Sequence, residues 1–139
     1  MTEADFFNKY IGPRLRAWGT YDRIENIASN GIWDCNYCVE NCQGWIETKV
    51  AKSGKLYFQK FQIPWGLRRA RHQTDGLWVL ALLPSGLGLY DIDDIAKAPR
   101  TTEKQWTVLQ VSDLKSHLPE GWNWDGLHAL LLVPKYAKS

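Results

Sequence analysis

Residues 77–83 read Leu-Trp-Val-Leu-Ala-Leu-Leu, with no polar side chain among them. A bilayer span needs about 18 or more apolar residues, so this run has the length of a strand covered on both faces. Such a strand requires one layer above it and another below, which the rest of the chain must supply. A chain of 139 residues is enough for one domain of this kind and too short for a second core.

The elements around that run follow from periodicity and turn chemistry. Phe6, Phe7, Tyr10, Ile11, Leu15 and Trp18 recur at steps of three and four. They predict an amphipathic helix over residues 3–17, with Thr2 as its N-cap and Gly12-Pro13 as the place where it bends or ends. Residues 21–28, 32–39 and 44–50 read as three short strands, with a turn at 29–31 and a hairpin at 40–43. Residues 56–71 read as a helix that holds Pro64, and residues 87–92 pair back on the central run across Pro84-Ser85-Gly86. Beyond that, 99–104 reads as a loop, 106–111 as a strand, and 112–117 and 122–132 as short helices. The order is helix, three strands, helix, strand and an appendage, which is a mixed sheet with helices packed on it. Residues 1–139 make a single domain, its core about 1–95 and the appendage about 99–139.

Cysteine and charge narrow the function classes. Cys35, Cys38 and Cys42 are an odd number crowded together, unlike a disulfide framework. His72, His117 and His128 lack the spacing to complete a metal site with them, which leaves ordinary buried thiols. Met1-Thr2-Glu3-Ala4-Asp5 is acidic and polar, unlike an export signal. The expectation is a cytoplasmic protein that does not enter a membrane. The net charge is only +2, but residues 49–72 hold Lys49, Lys52, Lys55, Lys60, Arg68, Arg69 and Arg71 with no acid. That is a local positive field on a slightly acidic body, suited to a polyanion.

Chemistry concentrates just ahead of that segment. On a strand through residues 44–50, Glu47 and Lys49 share one face, while Ile46, Thr48 and Val50 take the other and pack on the core. If Asp34 lies on the neighbouring strand, its carboxylate meets that of Glu47 across the hairpin. Two acids so close repel unless a cation or proton lies between them, and hard oxygens suit Mg²⁺ or Mn²⁺. A divalent ion beside a lysine is a known device for phosphodiester hydrolysis.

Gly31-Ile32-Trp33-Asp34, then Gly44-Trp45-Ile46-Glu47-Thr48-Lys49-Val50, then Leu56, Gln59 and Trp65 together resemble the core of the PD-(D/E)xK nuclease superfamily. Within it they are most similar to the virus-type replication-repair (VRR-NUC) nucleases and the archaeal-type Holliday junction resolvases. The likeness covers residues 20–95, with the first helix fitting before it. It implies an α/β, restriction-endonuclease-like fold: a mixed central sheet of about four to five strands flanked by helices, with core order α-β-β-β-α-β. It also implies a place in DNA repair or recombination, and for a phage or other viral chain the host cytoplasm.

Carried over by position, the resemblance implies that Asp34 and Glu47 bind Mg²⁺ or Mn²⁺, with the Thr48 carbonyl as a further ligand. Lys49 is then the catalytic lysine, and Gln59 the helix residue that contacts metal-bound water or phosphate. Glu25 stands where some relatives have another acid, and Glu3 or Asp5 where the resolvases have one on the first helix. Trp33 replaces the family's usual Pro, so the bend that aims Asp34 lacks that support. Lys52, Lys55, Lys60, Arg68, Arg69 and Arg71 would hold the DNA backbone on either side of the cut.

The implied activity is a metal-dependent deoxyribonuclease acting on branched or structured DNA and leaving 5′-phosphate ends, with a homodimer where a four-way junction is resolved. A non-catalytic nucleic-acid-binding module of the same fold, or a restriction-type enzyme on duplex DNA, are the alternatives. Ser53-Gly54-Lys55 lacks the other residues of a phosphate loop, and Gly86-Leu87-Gly88 reads as a hairpin turn.

Overall fold

In the computed structural model, which describes residues 1–24, 31–72 and 76–132, the apolar run lies inside a five-stranded sheet. It forms β5 (Gly76–Leu83), parallel to β3 (Cys42–Val50) on one side and antiparallel to β6 (Gly86–Asp91) on the other. β1 (Gly19–Arg23) and β2 (Cys35–Val39) extend β3 as an antiparallel meander, so the strand order is β1-β2-β3-β5-β6.

Both faces of β5 are covered, as its composition requires. Trp78 and Leu80 join Phe6, Phe7, Ile11, Leu15 and Ile46 in one buried cluster. Leu77, Val79 and Ala81 join Trp33, Ile63, Ile92 and Leu109 in the other. The first cluster is roofed by the N-terminal helical run: α1 (Glu3–Phe6), a π-helical stretch (Phe7–Ile11) and α2 (Gly12–Trp18). The run continues past Gly12-Pro13 because Pro13 falls in the first turn of α2, directly after the π stretch, where its missing N–H costs least. Thr2 caps α1, its Oγ1 accepting from the Asp5 N–H at 3.0 Å. α5 (Trp124–Leu131) adds Leu127 and Leu131 to the same cluster.

The second cluster is where the structure departs from expectation. Residues 56–71 do not form one helix: β4 (Lys55–Phe58) comes first and α3 (Gln62–Ala70) follows. Leu56 and Phe58 are buried and Lys55 and Tyr57 are not, a period of two that a strand satisfies. Pro64 then sits in the first turn of α3, where it is tolerated. Residues 99–104 are not all loop, because β7 (Thr101–Glu103) pairs with β8 (Trp106–Gln110), which in turn pairs with β4 in a small antiparallel sheet.

α4 (Ile92–Lys97) was not anticipated; Asp91 and Asp94 form its capping box, a signal present in the sequence. The helix expected at 112–117 is only a 3₁₀ turn, Val111–Asp113. Gly86 and Gly88 lie within β6 rather than in the turn before it. Cys35 alone among the cysteines is buried; Cys38 is exposed.

Candidate active site

The antiparallel register of β2 and β3 pairs Cys35 with Ile46, so Asp34, one residue before β2, stands opposite Glu47. Two hydrogen bonds lock that corner. The Asp34 N–H donates to Glu47 Oε1, and the Thr48 N–H donates to Asp34 Oδ2, each at 3.2 Å. Within a strand the N–H and C=O of one residue point the same way, so the Thr48 carbonyl also faces the Asp34 side.

Glu47 and Lys49 project into the second cluster's side of the sheet and are 2% and 3% exposed. Charges so deeply buried survive only when paired and hydrogen-bonded. Lys49 Nζ lies 3.2 Å from Glu47 Oε2, and its ammonium sits 4.8 Å from the centre of the Phe58 ring. Gln62, at the first turn of α3, completes the arrangement. Its Oε1 accepts from Lys49 Nζ at 2.9 Å and from the Gln59 N–H at 2.9 Å, while its Nε2 donates to Glu47 Oε2 at 2.9 Å.

This corrects the expected placement of Gln59. It lies in the loop between β4 and α3 rather than on a helix, and the helix glutamine that meets the lysine and the acid is Gln62. Pro64 in the first turn marks where α3 begins, but packing, not spacing, selects the glutamine that meets the lysine and the acid.

Trp33 takes over the support that the missing proline does not provide. It is fully buried, and its indole N–H donates to the Gln62 carbonyl at 2.8 Å. Gly31 adopts φ +80°, and a Cβ there would come within 2.2 Å of the Phe61 carbonyl oxygen. The stretch leading into Asp34 is therefore pressed against the start of α3, and one contact aims both Asp34 and Gln62.

Two adjoining cavities open at this place. One of about 190 Å³ is lined by Asp34, Glu47 and Arg23, the other of about 290 Å³ by Lys49, Lys52 and Trp106; Glu3, Gln59 and Gln62 line both. Of the two N-terminal acids, Glu3 is therefore at the site and Asp5 lines neither cavity. Glu25 lies outside the described residues.

Lys52, Lys60, Arg68, Arg69 and Arg71 are exposed, and Lys55 pairs with Glu103 at 3.2 Å. Lys60 lies in the loop before α3, and Arg71 caps its far end. Arg69 lies over Trp45 and Trp65, at 5.2 and 5.5 Å from their centres.

Burial raises the pKa of Asp34 well above the usual carboxylate range, and the facing Glu47 raises it further; the Thr48 N–H and Lys49 work against this. Glu47 is also raised, by burial first, with Lys49 pulling the other way. Among the described residues no three acidic, histidine or cysteine side chains come together as a metal cluster. The available donors are two carboxylates and a backbone carbonyl. Asp34 Oδ1 is buried and has no hydrogen-bond partner, and a carboxylate lone pair left so, beside a second acid, fits a hard divalent cation.

A raised folded-state pKa means that the folded chain holds these protons more tightly than the unfolded one. The stabilisation is complete below about pH 4 and is lost as pH rises through the folded-state values. Asp34→Asn is therefore expected to melt above the wild type in metal-free buffer at pH 8, by about 3 °C or more, with the gap closing towards pH 4. Adding Mg²⁺ or Mn²⁺ at pH 8 should raise the wild-type midpoint and not that of the variant. Circular dichroism melts test both; a variant no more stable than wild type at pH 8 refutes the account.

No protein-family model matches the sequence, and no curated protein matches it. Among solved structures the chain is similar to Hjc, a Holliday junction resolvase from the archaeal hyperthermophile Archaeoglobus fulgidus. The TM-score is 0.57 at 14% identity, covering 81% of this chain and 86% of that one. It is also similar to the bacterial homing endonuclease I-Ssp6803I, with TM-score 0.48, 11% identity and coverage of 94% and 88%. The likeness to the resolvase shows the fold, which is restriction-endonuclease-like, a mixed five-stranded sheet flanked by helices. Among the described residues no helix is long and apolar enough to cross a membrane.

Proposed function

We propose that this chain is a metal-dependent endonuclease that hydrolyses phosphodiester bonds in branched or otherwise structured DNA. The observation that carries the reading is the convergence of Asp34, Glu47, Lys49 and Gln62 at the junction of β2, β3 and α3. The fold it shares with a Holliday junction resolvase supports the substrate class, as does the resemblance of its motif order to the VRR-NUC and resolvase groups.

Asp34 Oδ1, Glu47 and the Thr48 carbonyl are the groups to hold Mg²⁺ or Mn²⁺. When bound, such an ion supplies charge neutralisation at the phosphate and a more acidic water. Lys49 holds a proton and a positive charge where negative charge develops on the phosphate oxygens. Gln62 fixes the ammonium group against Glu47, so little reorganisation is needed at the moment of reaction. Lys52, Lys60, Arg68, Arg69 and Arg71 bind backbone phosphates outside the cut and make binding salt-dependent. Cutting both strands of a four-way junction adds a homodimer to the reading.

The test is incubation with labelled duplex, single-stranded, flap and four-way-junction DNA in Mg²⁺, Mn²⁺ or EDTA. Incision with either metal, strongest on branched forms and absent in EDTA, is expected. Cleavage that persists in EDTA overturns the mechanism, and binding without incision under both metals favours a non-catalytic module.

A further inference from the structure

The residues after the central sheet return to the site as a wall. β8 pairs with β4, and the register sets Tyr57 against Val108 and Trp106 against Glu103 beside the turn of the β7–β8 hairpin. Trp106 and Tyr57 are half-buried, and neither belongs to a hydrophobic cluster. Both line the 290 Å³ cavity that Lys49 and Gln62 also line, and Lys52 stands at the same cavity.

We propose that this aromatic wall receives one unpaired nucleotide beside the scissile phosphate, its base against Trp106 and its backbone towards Lys52. The inference rests on the nuclease reading above and deepens it by naming what the site prefers. Three features of the wall point to this occupant.

A half-buried aromatic ring that lines a charged cavity outside the core presents surface to that cavity. A base in a duplex has both of its own faces covered by stacked neighbours, so only an unpaired or splayed base can use that ring. The cavity is at the lower limit of clefts that enclose small ligands, which suits a single nucleotide and excludes a duplex. Lys52 provides the cation for the adjoining phosphate, while Glu3, which lines the same cavity, disfavours a second phosphate there.

The experiment measures binding in EDTA of a blunt duplex and of the same duplex with a three-nucleotide flap, by fluorescence anisotropy, beside the cleavage assay. The wild type is expected to bind the flap form more tightly. Trp106→Ala should reduce that preference by about 5-fold or more, in line with the loss of one base–aromatic stack, and Trp106→Phe should keep most of it.

In the wild type, 2-aminopurine at the first unpaired position should lose fluorescence on binding, and at a paired position should not. A flap preference that survives Trp106→Ala, or unquenched 2-aminopurine, overturns the inference. Equal wild-type binding of both forms alongside metal-dependent cutting overturns it too and leaves the nuclease reading standing. No cutting of any DNA in either metal removes the nuclease reading, and this inference with it.

Discussion

Lys49→Met is expected to cut labelled DNA at least about 100-fold more slowly than wild type, the scale seen when one preorganised charge-stabilising group is removed from an active site. The ammonium group is almost wholly buried, 3.2 Å from Glu47 and 2.9 Å from Gln62, so its charge is held in place by the protein and not supplied by solvent. Removing it also leaves Glu47 buried and unpaired, which is costly unless the acid takes up a proton. The melting point should therefore fall, and fall less at pH 5 than at pH 8. Gln62→Leu separates the two effects, because it keeps the cation and frees its position; a smaller loss, about 10-fold, is expected. Initial rates at saturating Mg²⁺ decide it. Cutting by Lys49→Met within a few-fold of wild type would remove the lysine from the chemistry.

Trp33→Ala is expected to destabilise the protein by about 3–5 kcal/mol, the usual range for emptying a fully buried large aromatic site. The indole fills the space against α3 so closely that a Cβ on Gly66 would lie 2.6 Å from it. It also packs 5.9 Å from Trp65 between ring centres and satisfies the Gln62 carbonyl. Trp33→Phe keeps most of the apolar area and loses the hydrogen bond. It should cost less, about 1–3 kcal/mol, and lower the rate of cutting more than it lowers substrate binding, since Asp34 follows directly in the chain. Urea denaturation checks the stability of both. Equal rates in Trp33→Phe and wild type would show that Asp34 is aimed by something else.

The comparison of Gln59 with Gln62 shows where reading along the chain stops. Both glutamines lie within a segment that reads as one helix, and the start of α3 at Gln62 is what sets them apart. Glu47 and Lys49 were legible as neighbours because a period of two is a local property of one strand. Their meeting with Asp34 was legible because a hairpin is nearly local as well. Gln62 reaches them from the other side of the second cluster, through packing that no spacing in the sequence encodes. The π-helical stretch ahead of Pro13 and the pairing of β4 with β8 are of the same kind, since each depends on what lies across from it.

What the residues determined by themselves was the doubly covered strand, the acid–acid–lysine set on adjoining strands, and the basic stretch that follows. These are consequences of side-chain periodicity and charge over a few positions. The tertiary structure alone decided which glutamine completes the set, that a tryptophan anchors the approach to Asp34, and that the segment after residue 99 comes back to wall the cavity. Those outcomes depend on contacts between elements distant in sequence, where burial of apolar area and satisfaction of hydrogen bonds are settled only once all layers are packed together.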